Sequence, residues 1–394
     1  MHYPTINDID GRRFGPDEEA AVVRVLRSGH LWRVDGTEAP ALEREFADLL
    51  GTRHCVAAAT GSGAIHAAVA ALDLNPGDEI IVPPITDAGS VIGALAQGLV
   101  PVFADVDPLT GCITAESVAE AAGPRTKAVV VVHLFGGAAD VEGIVEVCSA
   151  RNIRVIEDCA QAYLTRTKSG ALVGTVGDLG CFSLQQSKHI TAGDGGLVVT
   201  DDPALARRAA LFCDKGWPRD AGQRTHLFLG LNYRMPELTA AVARVQLTKL
   251  EGIVADRRRV AAAWDEALTG SGWHVAPDGE RHSYWLYPIV VERPDVDNRL
   301  IATRIAQTGL GASAGYLQRV LHANPFLTER RTFGTSGWPL TLSDRPAPSC
   351  PNAETMVSRT LVTVAINENF TDDHIARSSS DLRRIAEELE VPHA

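Results

Sequence analysis

Aromatic side chains make up only 6% of this 394-residue chain, and methionine occurs only 3 times. No apolar run approaches the length of a membrane span, which argues against an integral helical membrane protein. Lysine and arginine form no long cluster. Arg257-Arg258-Arg259 is the densest run and the net charge is −12, so no nucleic-acid partner is expected. The 7 cysteines are odd in number and include no CxxC pair, which fits reduced thiols in a cytoplasm better than a disulfide framework. Met1-His2-Tyr3-Pro4 lacks the basic and apolar regions of a signal peptide, and again predicts a cytoplasmic protein. Internal repeats and low-complexity tracts are absent. What is present, 45% apolar and 22% charged residues, is ordinary for a soluble globular protein.

The apolar pattern predicts helices from Gly15 to Ser28, Glu38 to Leu50, Gly63 to Leu72, Gly89 to Gln97 and Ala139 to Ala150. Between them fall short Val- and Ile-rich runs that read as strands: His54–Ala58, Glu79–Val82, Val100–Ala104, Ala128–His133 and Ile153–Glu157. Continuously apolar strands separated by helices predict an α/β fold with a mostly parallel sheet covered on both faces. After Thr200 the pattern changes. Helices are expected at Asp202–Cys213, Glu237–Leu268, Val296–Gln307 and Thr371–Leu389, with strands at Tyr284–Val291 and Leu361–Ile366. We therefore expect a large domain over 1–250 and a smaller α+β domain over 251–394. Residues 309–355 read as an extended loop region, and long ordered loops in compact enzymes are more often functional than idle.

One lysine stands out. Lys188 lies in Phe182-Ser183-Leu184-Gln185-Gln186-Ser187-Lys188-His189, followed by Gly193-Asp194-Gly195-Gly196. Upstream, the strand Ile153-Arg154-Val155-Ile156 ends in Glu157-Asp158. A lysine in a Ser- and Gly-rich loop, with an acid at a strand end, is what pyridoxal phosphate (PLP) chemistry requires. The amine forms a Schiff base with the cofactor, and the carboxylate keeps the pyridine nitrogen protonated. Taken singly, these residues fit a surface lysine and a capping acid. Other residues strengthen the pattern. Thr60-Gly61-Ser62-Gly63-Ala64, between a strand and a helix, can present amides to a phosphate, although such turns are often structural. No Gly-Lys-Ser/Thr and no GxGxxG follows, so a phosphate without a nucleotide is the better reading. Ser183 can supply a second hydroxyl or cap a turn, Gln161 can reach the ring from the strand end, and Asn232 also reads as an N-cap.

These stretches resemble the DegT/DnrJ/EryC1/StrS family of sugar aminotransferases, of fold type I, over nearly the whole chain. The resemblance rests on Thr60–His66, Pro76–Pro83, Phe103–Asp107, Glu157–Ala162, the Lys188 loop with Gly193–Gly196, and Asn232-Tyr233-Arg234-Met235. It implies a covalent link between Lys188 and the cofactor, Asp158 on the pyridine nitrogen, and Gln161 near the ring hydroxyl. Ser62, Gly63 and Ser183 would hold the phosphate. Asn232 would reach it from the partner subunit of a homodimer. Relatives that dehydrate sugars carry histidine at the lysine position, so Lys188 implies transamination. The chain departs from the family at Asp87, where an aromatic that stacks on the ring is usual. Asp87 either selects neutral, hydroxyl-bearing acceptors or caps the next helix. The wording around Lys188 is most similar to members that aminate keto-cyclitols of the scyllo-inosose type or 8-oxo-octulosonates. The expected reaction is ping-pong amino transfer from L-glutamate or L-glutamine to a ketone or aldehyde of a sugar or cyclitol. Tyr316, His322 and Asn324, in the loop region, are expected to face that acceptor. A cofactor-binding regulator of the same fold and a sugar dehydratase are the alternatives.

Overall fold

The computed structural model describes residues 2–277, 279–291 and 297–390. Two helices, α1 (Pro16–Ser28) and α2 (Glu38–Leu50), precede the first strand, β1 (His54–Ala58). Helices and strands then alternate: α3 (Gly61–Ala71), β2 (Glu79–Val82), α4 (Gly89–Ala96), β3 (Val100–Phe103), α5 (Ala115–Ala121), β4 (Thr126–Val132), α6 (Val141–Ser149), β5 (Arg154–Asp158). β6 (Leu179–Ser183), β7 (Gly196–Thr200) and α7 (Pro203–Cys213) follow. The long helix α8 (Glu237–Leu268) leads to β8 (His274–Val275), β9 (Tyr287–Val290), α9 (Asn298–Ala306) and β10 (Ala312–Ala314). The chain closes with α10 (Pro325–Thr328), α11 (Pro351–Thr355), β11 (Leu361–Val364) and α12 (Asp372–Glu390).

Seven strands form one sheet in the order β1-β7-β6-β5-β4-β2-β3. The run from β6 to β3 is parallel, and β7 runs against both of its neighbours. Alternation along the strands shows why the runs are apolar throughout. Val56 and Ala58 enter one core cluster while Ala57 enters another, and Val198 is opposed in the same way by Leu197 and Val199. Each face of the sheet is therefore buried, and side chains such as Ile80, Ile81 and Val130 are fully enclosed. Each stabilises the fold by about 1.5–3 kcal/mol through removal from water.

A second sheet, antiparallel and ordered β10-β11-β9-β8, builds its own core with α9, α12 and the later part of α8. α8 serves both cores. Ala240 to Val254 pack with the large sheet, and Val260 to Leu268 pack with the small one.

Several expectations need correction. α3 begins at Gly61, two residues before the expected start, because Thr60 caps it: its Oγ1 accepts the Gly63 amide at 2.9 Å. α5, β6 and β7 were not expected as elements. Residues 309–355 are more than loop. They contain β10, α10 and α11, and send Val320, Leu321, Cys350 and Ala353 into the core of the large sheet. The expected helix Val296–Gln307 is observed as Asn298–Ala306, and Val296 lies outside the described residues.

Candidate active site

Parallel strands end together, so the loops that follow them share one rim of the sheet. A cavity of about 380 Å³ opens there, lined by residues from after β1, β2, β5 and β6, by Trp285 just before β9 and by Tyr316 just after β10. Lys188, Asp158, Gln161, Ser62, Ser183, Asp87 and Tyr316 all line it. Seven residues scattered over more than 250 positions of sequence thus meet at one place.

Asp158 is the last residue of β5 and is buried. Its Oδ2 accepts from Ser90 Oγ at 2.7 Å and its Oδ1 accepts from the Ala160 amide at 3.1 Å. Ser90 in turn shares a hydrogen bond with Thr86 Oγ1 at 2.6 Å. Burial raises the Asp158 carboxyl above its ordinary range, with Ser90, Ala160 and Lys188 pulling the other way. Burial also lowers the Lys188 amine, to about 8, while Asp158 and Asp87 resist the change. An amine near 8 is neutral in roughly a tenth of molecules at pH 7, far more than an ordinary lysine, and that fraction can take up a proton.

Opposite these groups is the start of α3. The amides of Gly61 and Ser62 occupy the first helical turn, where no intrahelical acceptor exists, and the helix end adds partial positive charge. Two glycines let the walls close in. A Cβ on Gly61 would sit 2.6 Å from Ser183 Cβ, and one on Gly89 would sit 2.6 Å from Ser62 Oγ. The result is a concave patch of amides and two hydroxyls suited to an anion.

The remaining sequence-derived residues divide. Gly63 adjoins the patch, but its amide is taken by Thr60, so it is not a free donor there. Gln161 is engaged on both sides: Oε1 accepts the Phe135 amide at 2.7 Å, and Nε2 donates to Tyr316 Oη at 3.2 Å. Tyr316 is thereby held against Phe135, ring centroids 5.1 Å apart. Asp87 Oδ1 accepts the Gly89 amide at 2.8 Å, a capping contact at the start of α4, while the residue also lines the cavity. Three residues are not brought there. His322 is buried against Phe103 and pairs with Glu354 at 3.2 Å. Asn324 spends its amide group on the Val320 and Leu321 carbonyls, closing its own turn. Asn232 is exposed and pairs with Asp214 along the backbone, away from the cavity of its own chain.

Sequence reasoning missed Trp285, Ser90 and Arg12. Trp285 lines the cavity, and Lys188 Nζ lies 4.2 Å from its ring centroid. Arg12 reaches the Lys188 loop from the N-terminal segment. Its Nη1 donates to the Lys188 carbonyl at 2.7 Å and its Nη2 to the Gln186 carbonyl. Only Ser90 had a local signal: it stands four residues from Thr86, one helical turn on.

Comparison with known proteins identifies the family and the fold. The DegT/DnrJ/EryC1/StrS aminotransferase family profile matches residues 13–382. The chain is 36% identical over 329 residues to the L-glutamine:2-deoxy-scyllo-inosose aminotransferase of Streptomyces kanamyceticus, covering 77% of this chain and 76% of that protein. It is 34% identical over 355 residues to the UDP-N-acetyl-3-dehydro-α-D-glucosamine 3-aminotransferase of Acidithiobacillus ferrooxidans, covering 89% of each. Among solved structures, the aminotransferase from Psychrobacter cryohalolentis superposes with a TM-score of 0.84 at 29% identity, over 96% of this chain and 98% of that one.

Proposed function

The chain belongs to the DegT/DnrJ/EryC1/StrS aminotransferase family, and on that premise we propose that it moves an amino group from L-glutamate or L-glutamine to a ketone or aldehyde of a sugar or cyclitol. It is a PLP-dependent aminotransferase, and its relatives aminate scyllo-inosose-type cyclitols and keto-sugars. Bound PLP supplies an electron sink that makes loss of the donor α-proton tolerable.

The residues present fit that group. Among the described residues Lys188 is the only lysine lining the cavity, and its lowered amine keeps a nucleophilic neutral fraction at neutral pH. Asp158 is a buried carboxylate whose hydrogen bonds do not offset its burial, so a protonated ring nitrogen would relieve it. The α3 start, Ser62 and Ser183 would take the phosphate, Gly63 would support that turn, and Gln161 and Tyr316 would border the ring. In the reaction, Lys188 Nζ accepts the proton from the donor α-carbon as general base and returns it as acid. Asp158 keeps its partner nitrogen charged throughout, and Ser90 keeps Asp158 oriented.

The finer reading concerns acceptor, assembly and compartment. Asp87 and Tyr316 border the acceptor, and a neutral polyol such as a keto-cyclitol suits a cavity in which Lys188 is the only lining cation among the described residues. His322 and Asn324, which were expected to do so, have no such role in this proposal. The active unit is a homodimer with Asn232 crossing to the other subunit. Leu229, 87% exposed close to Asn232, suits a covered face. Seven free thiols suit a cytoplasmic protein. No helix among the described residues is long and apolar enough to cross a membrane.

The observation that carries the proposal is that the Lys188 amine and the buried Asp158 carboxylate line one cavity. Borohydride reduction of the PLP-loaded protein, followed by peptide mapping, tests it. The cofactor should be fixed to Lys188, and a label on any other lysine overturns the assignment. Mixing Asn232→Ala with Lys188→Ala protein tests the dimer. Subunit exchange should restore activity, because one of the two sites in a mixed dimer carries neither lesion.

A further inference from the structure

Once freed, a lysine side chain can rotate about four bonds, and a base that must return to one carbon atom needs its position restricted. The polar groups facing Lys188 do not supply that restriction. Asp158 is engaged by Ser90 and Ala160, and Asp87 Oδ1 by Gly89. Tyr316 is held by Gln161, and Asp194, at the cavity edge, is exposed to solvent. His189, the next residue, is kept neutral by burial and bonds the Ser283 carbonyl at 2.9 Å. Arg12 holds the backbone of the lysine and leaves its amine untouched.

Trp285 faces the amine itself. Its ring centroid lies 4.2 Å from Lys188 Nζ. The indole is fixed at three points. Its Nε1 donates to the Ser187 carbonyl at 2.7 Å, its backbone amide donates to Phe135 at 2.8 Å, and its ring meets Tyr316 edge-on at 5.9 Å. Because Ser187 directly precedes the lysine, the indole is tied to the loop it serves. If the loop shifts, platform and amine shift together.

We propose that Trp285 is a positioning residue whose indole face holds the amine of Lys188 in the cavity whenever that amine is free. This rests on the reading of Lys188 as the reactive amine. The ring face favours the ammonium form, opposing the burial that favours the neutral amine. It thus restrains the side chain and keeps the amine able to give back the proton it takes.

The test uses the full-length protein freed of cofactor, with Trp285→Leu and Trp285→Phe. Lys188 acetylation by trace acetic anhydride is followed across pH by peptide mass spectrometry. Wild type should show a midpoint near 8. The leucine variant should show a midpoint lower by about one pH unit, and the phenylalanine variant should keep most of the wild-type value. In the loaded enzyme, kcat should fall about tenfold in the leucine variant with the donor KM unchanged. The inference is overturned if a leucine variant with native melting behaviour keeps its midpoint. It is also overturned if phenylalanine shifts the midpoint as far as leucine, since the effect would then belong to the indole N–H. Should borohydride fix the cofactor to another lysine, the underlying reading fails instead, so the two failures are distinguishable.

Discussion

Glu157 and Asp158 are consecutive residues of β5, both carboxylates, both buried, and pointing to opposite faces of the sheet. Their surroundings could hardly differ more. Glu157 receives the His133 Nε2–H at 2.9 Å and the amides of Gly174, Val176 and Gly177 at 2.7–2.8 Å. His133 Nδ1 accepts the Ala139 amide, which leaves the proton on Nε2 for Glu157. Burial alone would raise Glu157, but His133 and those amides outweigh it and hold the carboxyl below its ordinary range. Asp158 has two donors, and burial wins. Burial alone therefore does not mark a functional acid. What separates the two is how much hydrogen bonding the fold itself supplies: Glu157 is complete within the chain, and Asp158 awaits a cation.

The sharpest way to break this contrast is Asp158→Asn. Turnover should fall on the order of 1000-fold, since an amide cannot keep a ring nitrogen protonated. Stability of the cofactor-free protein at neutral pH should not fall, because the ionised carboxylate is unfavourably buried. Its raised folded pKa means that this disadvantage disappears on acidification, so the melting curves of variant and wild type should converge toward low pH. Turnover within tenfold of wild type removes Asp158 from the chemistry.

Glu157→Gln should do the reverse. We expect a loss of about 2–3 kcal/mol in urea unfolding at pH 7, with activity per folded molecule largely kept. The folded pKa of Glu157 is lowered, so its stabilisation is present above the unfolded value of 4.5 and is lost as pH falls through the folded one. The gap between variant and wild type should narrow accordingly. A pH-independent gap would mean that the charge does not contribute.

Ser90→Ala removes one of the two donors to Asp158 and makes its site still poorer. Activity should fall about tenfold with a stability loss of about 1 kcal/mol. Unchanged activity would show that Ser90 only fills space. The smallest effect is expected from Asp87→Asn. Asparagine keeps the Oδ1 that accepts the Gly89 amide, so melting should stay within about 0.5 kcal/mol of wild type while preference between neutral and anionic acceptors shifts. A loss of about 1 kcal/mol with unchanged acceptor kinetics leaves only the cap.

The contrast at β5 was only partly legible in the sequence. Glu157-Asp158 at the end of an apolar run marked a strand terminus with an acid, and the local motifs around Ser62, Ser183 and Lys188 placed the anion patch and the amine. α1, α2 and α8 were legible almost to the residue, because periodicity and capping are local. Which of the two acids faces the cavity depends on strand register, and what surrounds each depends on contacts far apart in sequence. Trp285 and Arg12 meet the Lys188 loop from 97 and 176 positions away. No pattern within one segment encodes such meetings. His322 and Asn324 failed because other partners absorbed them: Glu354, 32 positions on, takes His322, and Asn324 closes its own turn.

The Arg12 clamp has a consequence for how the molecule is made. Arg12 holds the Lys188 loop, and its buried guanidinium faces Glu368 at 3.7 Å, across 356 positions of chain. Glu368 also binds Arg257. During synthesis Arg12 emerges well before its counter-ion, which follows 356 positions later. Contacts of such long sequence separation form slowly, because the intervening chain must be ordered first. The loop that carries the reactive amine therefore acquires its final brace only once residue 368 has been made, and a nascent chain stalled short of it would carry Lys188 without its full clamp.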